Sequence, residues 1–180
     1  MKKLVLVLTV LSAAFVSSAQ TGKNEIGVGA DLGLPTGDFK KAYKLGFGGY
    51  VKGLYGIGSA GQITLTTGYT TYSAKSEVLD AMEVDKMKVG IIPILAGYRH
   101  NFDGFYAEPA IGYGILRNKF KSEQFDIDLS ESTGAFTWSL GAGYVVNKFD
   151  IGLRYQSSSK DGSTFGLFGL RIGYNFSLAK

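Results

Sequence analysis

From about residue 25 onward, large apolar side chains occupy every second position, with glycine or small polar residues between them. Phe149, Ile151, Leu153 and Tyr155 share one face, while Asp150, Gly152, Arg154 and Gln156 share the other. The same split recurs for Phe168, Leu170, Ile172, Tyr174 and Phe176 against Gly169, Arg171, Gly173 and Asn175. Phe136, Trp138, Leu140, Ala142 and Tyr144 stand against Thr137, Ser139, Gly141 and Gly143, and Ile63, Leu65, Thr67 and Tyr69 against Gln62, Thr64, Thr66 and Gly68. A period of two is that of a β-strand, so each segment has one large apolar face and one small or polar face. Such segments cover roughly 25–33, 45–56, 61–74, 86–100, 105–118, 133–146, 149–157 and 164–177. Most supply the about 9 to 11 residues that a tilted membrane strand requires. After the first residues, no segment reaches the roughly 20 apolar residues of a membrane helix, and the strongest apolar run, Val89–Ala96, is interrupted by Pro93. Strands cross lipid only when closed on themselves, because closure alone satisfies every backbone group there. The expected fold is all-β, a closed antiparallel up-and-down transmembrane β-barrel of about eight strands.

The N-terminus specifies export. Lys2 and Lys3 precede an uncharged run from Leu4 to Val16, followed by Ser17-Ser18-Ala19, the plan of a secretory signal peptide cleaved after Ala19. Residues 20–180 then form a single domain, with no Pro/Ser-rich linker dividing them. Cysteine is absent, which excludes a lipoprotein anchor, a disulfide framework and a thiolate metal site. Loss of Lys2 and Lys3 brings the formal +4 down to about +2, too little for a nucleic-acid footprint. Glycine, 26 residues against a usual share of about 7%, would suit a disordered chain, yet its interleaving with Val, Ile and Leu is something disorder does not need.

The spacing between strands orients the barrel. Links 34–44, 75–85, 119–132 and 158–163 are polar and charged, whereas 57–60, 101–104 and 147–148 are short. Long links at one end and tight turns at the other are the outer-membrane pattern of external loops and periplasmic turns, with both termini periplasmic. Tyr55, Phe102, Phe105, Phe149 and Phe176 lie near the short-turn end or a terminus, where an interfacial girdle belongs. Pro93 and Pro109 fall within neighbouring strands and predict a bulge or a local gap, since proline donates nothing to the ladder. Apolar residues on both sides of the fourth strand leave its faces open; Tyr98 is placed outward and Arg99 inward by analogy with Arg154-Tyr155.

These residues resemble the small outer-membrane β-barrel family of Gram-negative bacteria, the OmpA-like and OmpX-like barrels. The resemblance rests on Ser17-Ser18-Ala19-Gln20, Ile92-Pro93-Ile94-Leu95-Ala96-Gly97-Tyr98-Arg99, Gly152-Leu153-Arg154-Tyr155 and Gly169-Leu170-Arg171-Ile172-Gly173-Tyr174-Asn175-Phe176. It implies residence in the outer membrane among lipids and lipopolysaccharide. It also implies insertion by the barrel-assembly machinery, which in that family reads an aromatic residue at the end of the final strand. Phe176 is the corresponding position, followed here by Ser177-Leu178-Ala179-Lys180.

Function has to be read from the faces. Lys52, Arg99, Glu108, Asp150, Arg154 and Arg171 point inward, where a barrel of about eight strands is filled by side chains. Buried charges need partners, so these residues predict an interior polar network; if Ile151 pairs with Leu170, Asp150 falls opposite Arg171. Inward Gly112, Gly114, Gly141, Gly143 and Gly173 would leave room for water along one wall.

No catalytic constellation or cofactor motif emerges. His100, the single histidine, is expected at a periplasmic turn, far from the serines of 157–163. Gly27-Val28-Gly29-Ala30-Asp31-Leu32-Gly33 lacks the final spacing of a dinucleotide loop. Glu123, Asp126, Asp128 and Glu131 lack the glycine of a calcium loop, so no metal is expected. Residues 75–88 offer one amphipathic turn around Val78, Leu79 and Met82. The favoured function is a non-enzymatic envelope protein whose external loops meet lipid headgroups or an external macromolecule. The alternatives are a narrow channel or small-solute binder, and a soluble periplasmic barrel of lipocalin type, whose faces would be reversed.

Overall fold

The computed structural model describes residues 23–82, 84–122 and 127–178, with backbone alone for 120–122, 127 and 128. The signal segment 1–19, Glu123 and Asp126 lie outside the described residues. The chain forms β1 (Glu25–Thr36), α1 (Gly37–Ala42), β2 (Gly46–Ile57), β3 (Gly61–Ser73), α2 (Ser76–Ala81), β4 (Lys86–Phe102), β5 (Phe105–Ser122), β6 (Ile127–Val146), β7 (Phe149–Lys160) and β8 (Ser163–Ser177). Each strand pairs antiparallel with its sequence neighbours, and β8 returns to β1, closing the barrel. No described helix is long and apolar enough to cross a membrane.

Alternation sets the two surfaces. Val28, Ile94, Ile111, Leu140, Ile151, Leu153 and Ile172 are exposed on the outer wall, and Asp31, Lys52, Thr66, Arg99, Glu108 and Arg154 are buried within. That segregation inverts the lipocalin plan and removes that alternative. Tyr98 faces outward and Arg99 inward. Both prolines leave local gaps rather than bulges. The β3–β4 ladder lapses between the pairs Thr67–Ile94 and Thr70–Ile91, and the β4–β5 ladder between Gly97–Ala110 and His100–Ala107. Register is unchanged across each gap, because a missing N–H removes a bond without adding a residue.

Three expectations about the connections are corrected. The link expected at 119–132 is mostly strand: β5 runs to Ser122 and β6 begins at Ile127. Charge density suggested a loop there, but Ile127 and Leu129 alternate with Asp128 and Ser130, so the sequence keeps its period of two. The link expected at 158–163 is a two-residue turn, Asp161-Gly162, with φ of 47° and 79°. Positive φ at both positions suits a tight hairpin whose twist matches its strands. That turn also sets the register of the last hairpin, so Ile151 pairs with Ile172 and Leu153 with Leu170. Asp150 therefore stands opposite Gly173, and the expected Asp150–Arg171 pair is not formed. The two registers differ by an even number of residues, so every inward side chain keeps its face.

The other two links at that end of the barrel carry the two short helices. After Gly37, at φ 56°, α1 turns back and places Phe39 over the barrel mouth. An apolar cluster of Phe39, Tyr43, Tyr72, Val89, Ile91 and Leu167 closes that end.

Candidate functional site: the filled lumen and its two ends

Inward charges from six strands meet in the middle of the barrel. Glu108 on β5 is the hub: it accepts hydrogen bonds from Lys52 Nζ at 2.7 and 2.8 Å, from Arg99 Nε at 2.8 Å and from the Thr64 hydroxyl at 3.4 Å. Arg99 Nη1 donates to Asp150 Oδ2 at 2.9 Å, and the Tyr106 hydroxyl donates to Asp150 Oδ1 at 2.7 Å. Lys52, Glu108, Arg99, Asp150 and Tyr106 thus form one connected group. A second group lies nearby: Arg154 Nη2 donates to Asp31 Oδ2 at 2.6 Å, and Arg154 Nη1 to Gln156 Oε1. Arg171 Nε stands 3.6 Å from the same Asp31 oxygen, a charge contact outside hydrogen-bond range.

The structure brings Lys52, Arg99, Glu108 and Asp150 together and joins Arg154 and Arg171 through Asp31. Sequence reasoning overlooked Asp31, although the alternation of Val28, Ala30 and Leu32 places it inside. It also overlooked the inward tyrosines. The Arg99 guanidinium lies 3.6 Å from the Tyr106 ring centroid, and that of Arg171 lies 4.7 Å from the Tyr50 centroid.

These rings answer the question of the inward glycines. A Cβ at Gly143 or Gly152 would strike Tyr106, and one at Gly173 would strike Tyr50. The space expected for water at Gly143 and Gly173 is filled by aromatic rings.

The buried charges do not balance. Among the described residues, four cations (Lys52, Arg99, Arg154, Arg171) face three carboxylates (Asp31, Glu108, Asp150). Arg171 is the loosest member, its Nε and Nη2 making no hydrogen bond. Beside it, Lys52, Glu108 and Arg154 border a cavity of about 20 Å³, room for one water.

The two ends differ. At the end that carries α1, Phe39 packs against Tyr43, Tyr72 and Phe165 with ring centroids 4.8, 5.1 and 5.8 Å apart. Burial there pushes the Tyr43 hydroxyl up to about 12. On the outer side of α1, Lys41 lies 2.7 Å from Asp38 and holds its carboxyl below the usual carboxylate range. At the opposite end, that of the chain termini, a polar vestibule of about 370 Å³, bordered by Gln62, Asn101 and Asn175, stops at Arg99.

His100 belongs to neither end's chemistry. Its Nδ1 lies 3.0 Å from the Tyr98 hydroxyl and its ring 4.6 Å from Phe102 on the outer wall near the β4–β5 turn. Ser157–Ser159 lie at the opposite end of β7's lumen, where Ser158 bonds Thr137 at 2.8 Å. Phe176 faces outward on β8 opposite Ile26 of β1, at the closing seam, with its ring 4.8 Å from Tyr174. Among the described residues no three metal-ligating side chains gather.

The family model described as outer membrane protein beta-barrel domain matches residues 4–176, and the chain belongs to that family. Its place is the outer membrane of the Gram-negative envelope. Among solved structures, it is similar to Ail, the attachment invasion locus protein of Yersinia pestis, in complex with the heparin analogue sucrose octasulfate. The TM-score is 0.67 at 21% identity, covering 87% of this chain and 100% of that one. The N-terminal β-barrel domain of Pseudomonas aeruginosa OprF gives a TM-score of 0.55 at 15% identity, covering 87% and 100%. Neisserial surface protein A gives 0.53 at 13% identity, covering 86% and 97%. No curated protein matches the sequence.

Proposed function

We propose that this chain is a sealed, non-enzymatic outer-membrane barrel that is anchored by its wall and acts through its external end, in contact with lipid headgroups or an external macromolecule. The carrying observation is that the lumen is filled twice over, by the apolar cluster around Phe39 at the mouth and by the Glu108-centred ion network below it. With solute passage and catalysis unsupported by the interior, the external surface is what remains to act. Support comes from the height of the β5–β6 hairpin: residues 127–135 of β6 pair with β5 alone and leave one edge open to an added strand. Ail, similar in fold, was solved with a sulfated saccharide analogue, an external ligand of the general kind this reading calls for. The interior network of Lys52, Arg99, Glu108, Asp150, Arg154 and Arg171 serves here as a structural plug, and Phe176 at the seam as the mark read by the assembly machinery.

The periplasmic vestibule is the one observation that favours a channel, and it ends against Arg99. Planar-bilayer recording separates the two readings. The purified protein should show no steady conductance, and Phe39→Ala should leave it nil because the ion network still blocks the path. A stable porin-sized current from the unmodified protein would refute the sealed reading and promote the channel.

A further inference from the structure

On the outer wall of β5, apolar positions run from Phe105 through Ala107, Pro109, Ile111 and Tyr113 to Ile115. Ten steps of about 3.3 Å each, tilted by about 40°, span about 25 Å, the height of a membrane barrel's apolar band. The next two outward residues are Arg117 and Lys119. On β4 the band runs from Phe102 to Ile92, then Gly90, and the next outward residues are Lys88 and Lys86. The two strands are paired, so Lys88 stands directly opposite Lys119 and Gly90 opposite Arg117. All four cations are exposed, and among the described residues none has a salt-bridge partner.

Like charges directly opposed across a ladder destabilise it, and nothing in the fold requires cations at these positions. The flanking strands show the alternative: at the same level their outward residues are Thr71 and Ser73 on β3, and Ser132 and Ser130 on β6. Among the described side chains at this level, the outward charge thus lies on this one hairpin, immediately above the lipid boundary. Below it, Tyr69 lies against Gly90 and Tyr113 against Gly134, two phenols at the upper edge of the apolar band. Aromatic rings with cations just above them match an amphiphile whose chains lie along the wall and whose anionic head is at the surface.

We propose that Lys86, Lys88, Arg117 and Lys119 form a binding site for the phosphate groups of an outer-leaflet glycolipid, the lipopolysaccharide that surrounds the barrel. The anion relieves the repulsion between Lys88 and Lys119, and the chains pack on Ile92, Ile94 and Ile115 below. This rests on the reading that the external end meets lipid headgroups, and names the site that does so.

The test is retention of purified lipid A by protein folded in mixed phosphatidylcholine vesicles, extracted in mild detergent and freed of loose lipid by gel filtration. Wild type should retain lipid A. K88Q/R117Q/K119Q should lose at least about tenfold, since each cation near an anionic surface contributes a several-fold factor. K40Q/K41Q/K160Q, which removes as many charges elsewhere on the external side, should retain it like wild type. Dephosphorylated lipid A should be lost by wild type as well. Gel migration of unheated samples checks that each variant is folded. Equal retention by folded K88Q/R117Q/K119Q, or equal retention of the dephosphorylated lipid, overturns the site. So does sucrose octasulfate binding at these residues with no lipid A retained, which would assign the patch to a soluble polyanion. Failure of wild type to insert into vesicles at all would instead sink the headgroup reading on which the site rests.

Discussion

Glu108→Ala should be the most costly single change in the lumen. Glu108 receives three charge-assisted bonds of 2.7–2.8 Å, two from Lys52 and one from Arg99. Arg99 keeps Asp150 at 2.9 Å when Glu108 is lost, but Lys52 has no other carboxylate within salt-bridge range among the described residues. An ammonium left buried in this way costs about 3–5 kcal/mol. Replacing both partners by apolar groups, as in Lys52→Met with Glu108→Leu, removes the stranded charge, while the loss of an acceptor for Arg99 Nε and the Thr64 hydroxyl, about 1–3 kcal/mol for such a donor, is common to both variants. The double variant should therefore be more stable than Glu108→Ala alone, a sign that simple counting of lost contacts would not give. Urea titration of the protein in lipid vesicles reads this, with Trp138, the single tryptophan and outward on β6, as the fluorescent probe. A cost for Glu108→Ala below about 1 kcal/mol, or a double variant less stable than the single, would refute the account of Glu108 as a charge hub.

Leu153→Arg or Leu170→Arg, paired on the outer wall, should lower bilayer stability by about 2–4 kcal/mol, read by the same titration; unchanged folding would overturn the outward assignment. Gly112→Ala should destabilise by about 1–3 kcal/mol because its Cβ meets the Ile94 backbone carbonyl, whereas Gly141→Ala, whose nearest neighbour would be 3.5 Å away, should be neutral or better; equal effects would show that the local spacing is wrong. Arg171→Met should cost less than Arg99→Met, because Arg171 is the surplus cation with unbonded donors and Arg99 makes two carboxylate bonds. Midpoints of heat-induced gel-mobility change rank the two, and the reverse order would contradict the charge count.

Faces were legible in the sequence because they depend on parity alone. Misjudging the β7–β8 turn by an even number of residues left Arg154, Arg171 and Asp150 inside and still mispaired two of them. Partners were not legible, because contact across the lumen depends on how eight strands are staggered around the closure, which no local pattern encodes. Asp150 finds Arg99, 51 positions upstream, and Arg154 finds Asp31, 123 positions away. The external elements failed for another reason. Phe39 is one apolar residue in a charged link, and its value arises only when α1 folds over a mouth that the sequence does not display. The β5–β6 extension hid behind its charges, since outside the membrane a strand's outward face turns polar and the contrast that marks it fades.

The abundance of glycine acquires a physical role in this interior. An eight-stranded lumen has room for arginines only if part of the wall is thin. Glycine supplies the thin wall at Gly143 and Gly152, where the Tyr106 ring lies flat enough that a methyl group would collide with it. The ring in turn presents its face to the Arg99 guanidinium at 3.6 Å and its hydroxyl to Asp150. Gly29 and Gly173 repeat the arrangement beneath Tyr50, over which Arg171 sits at 4.7 Å. Such stacks attract a cation without adding a carboxylate. That is how the lumen tolerates four cations against three anions: the fourth, Arg171, is held by a ring and a shared Asp31 oxygen rather than by a carboxylate of its own.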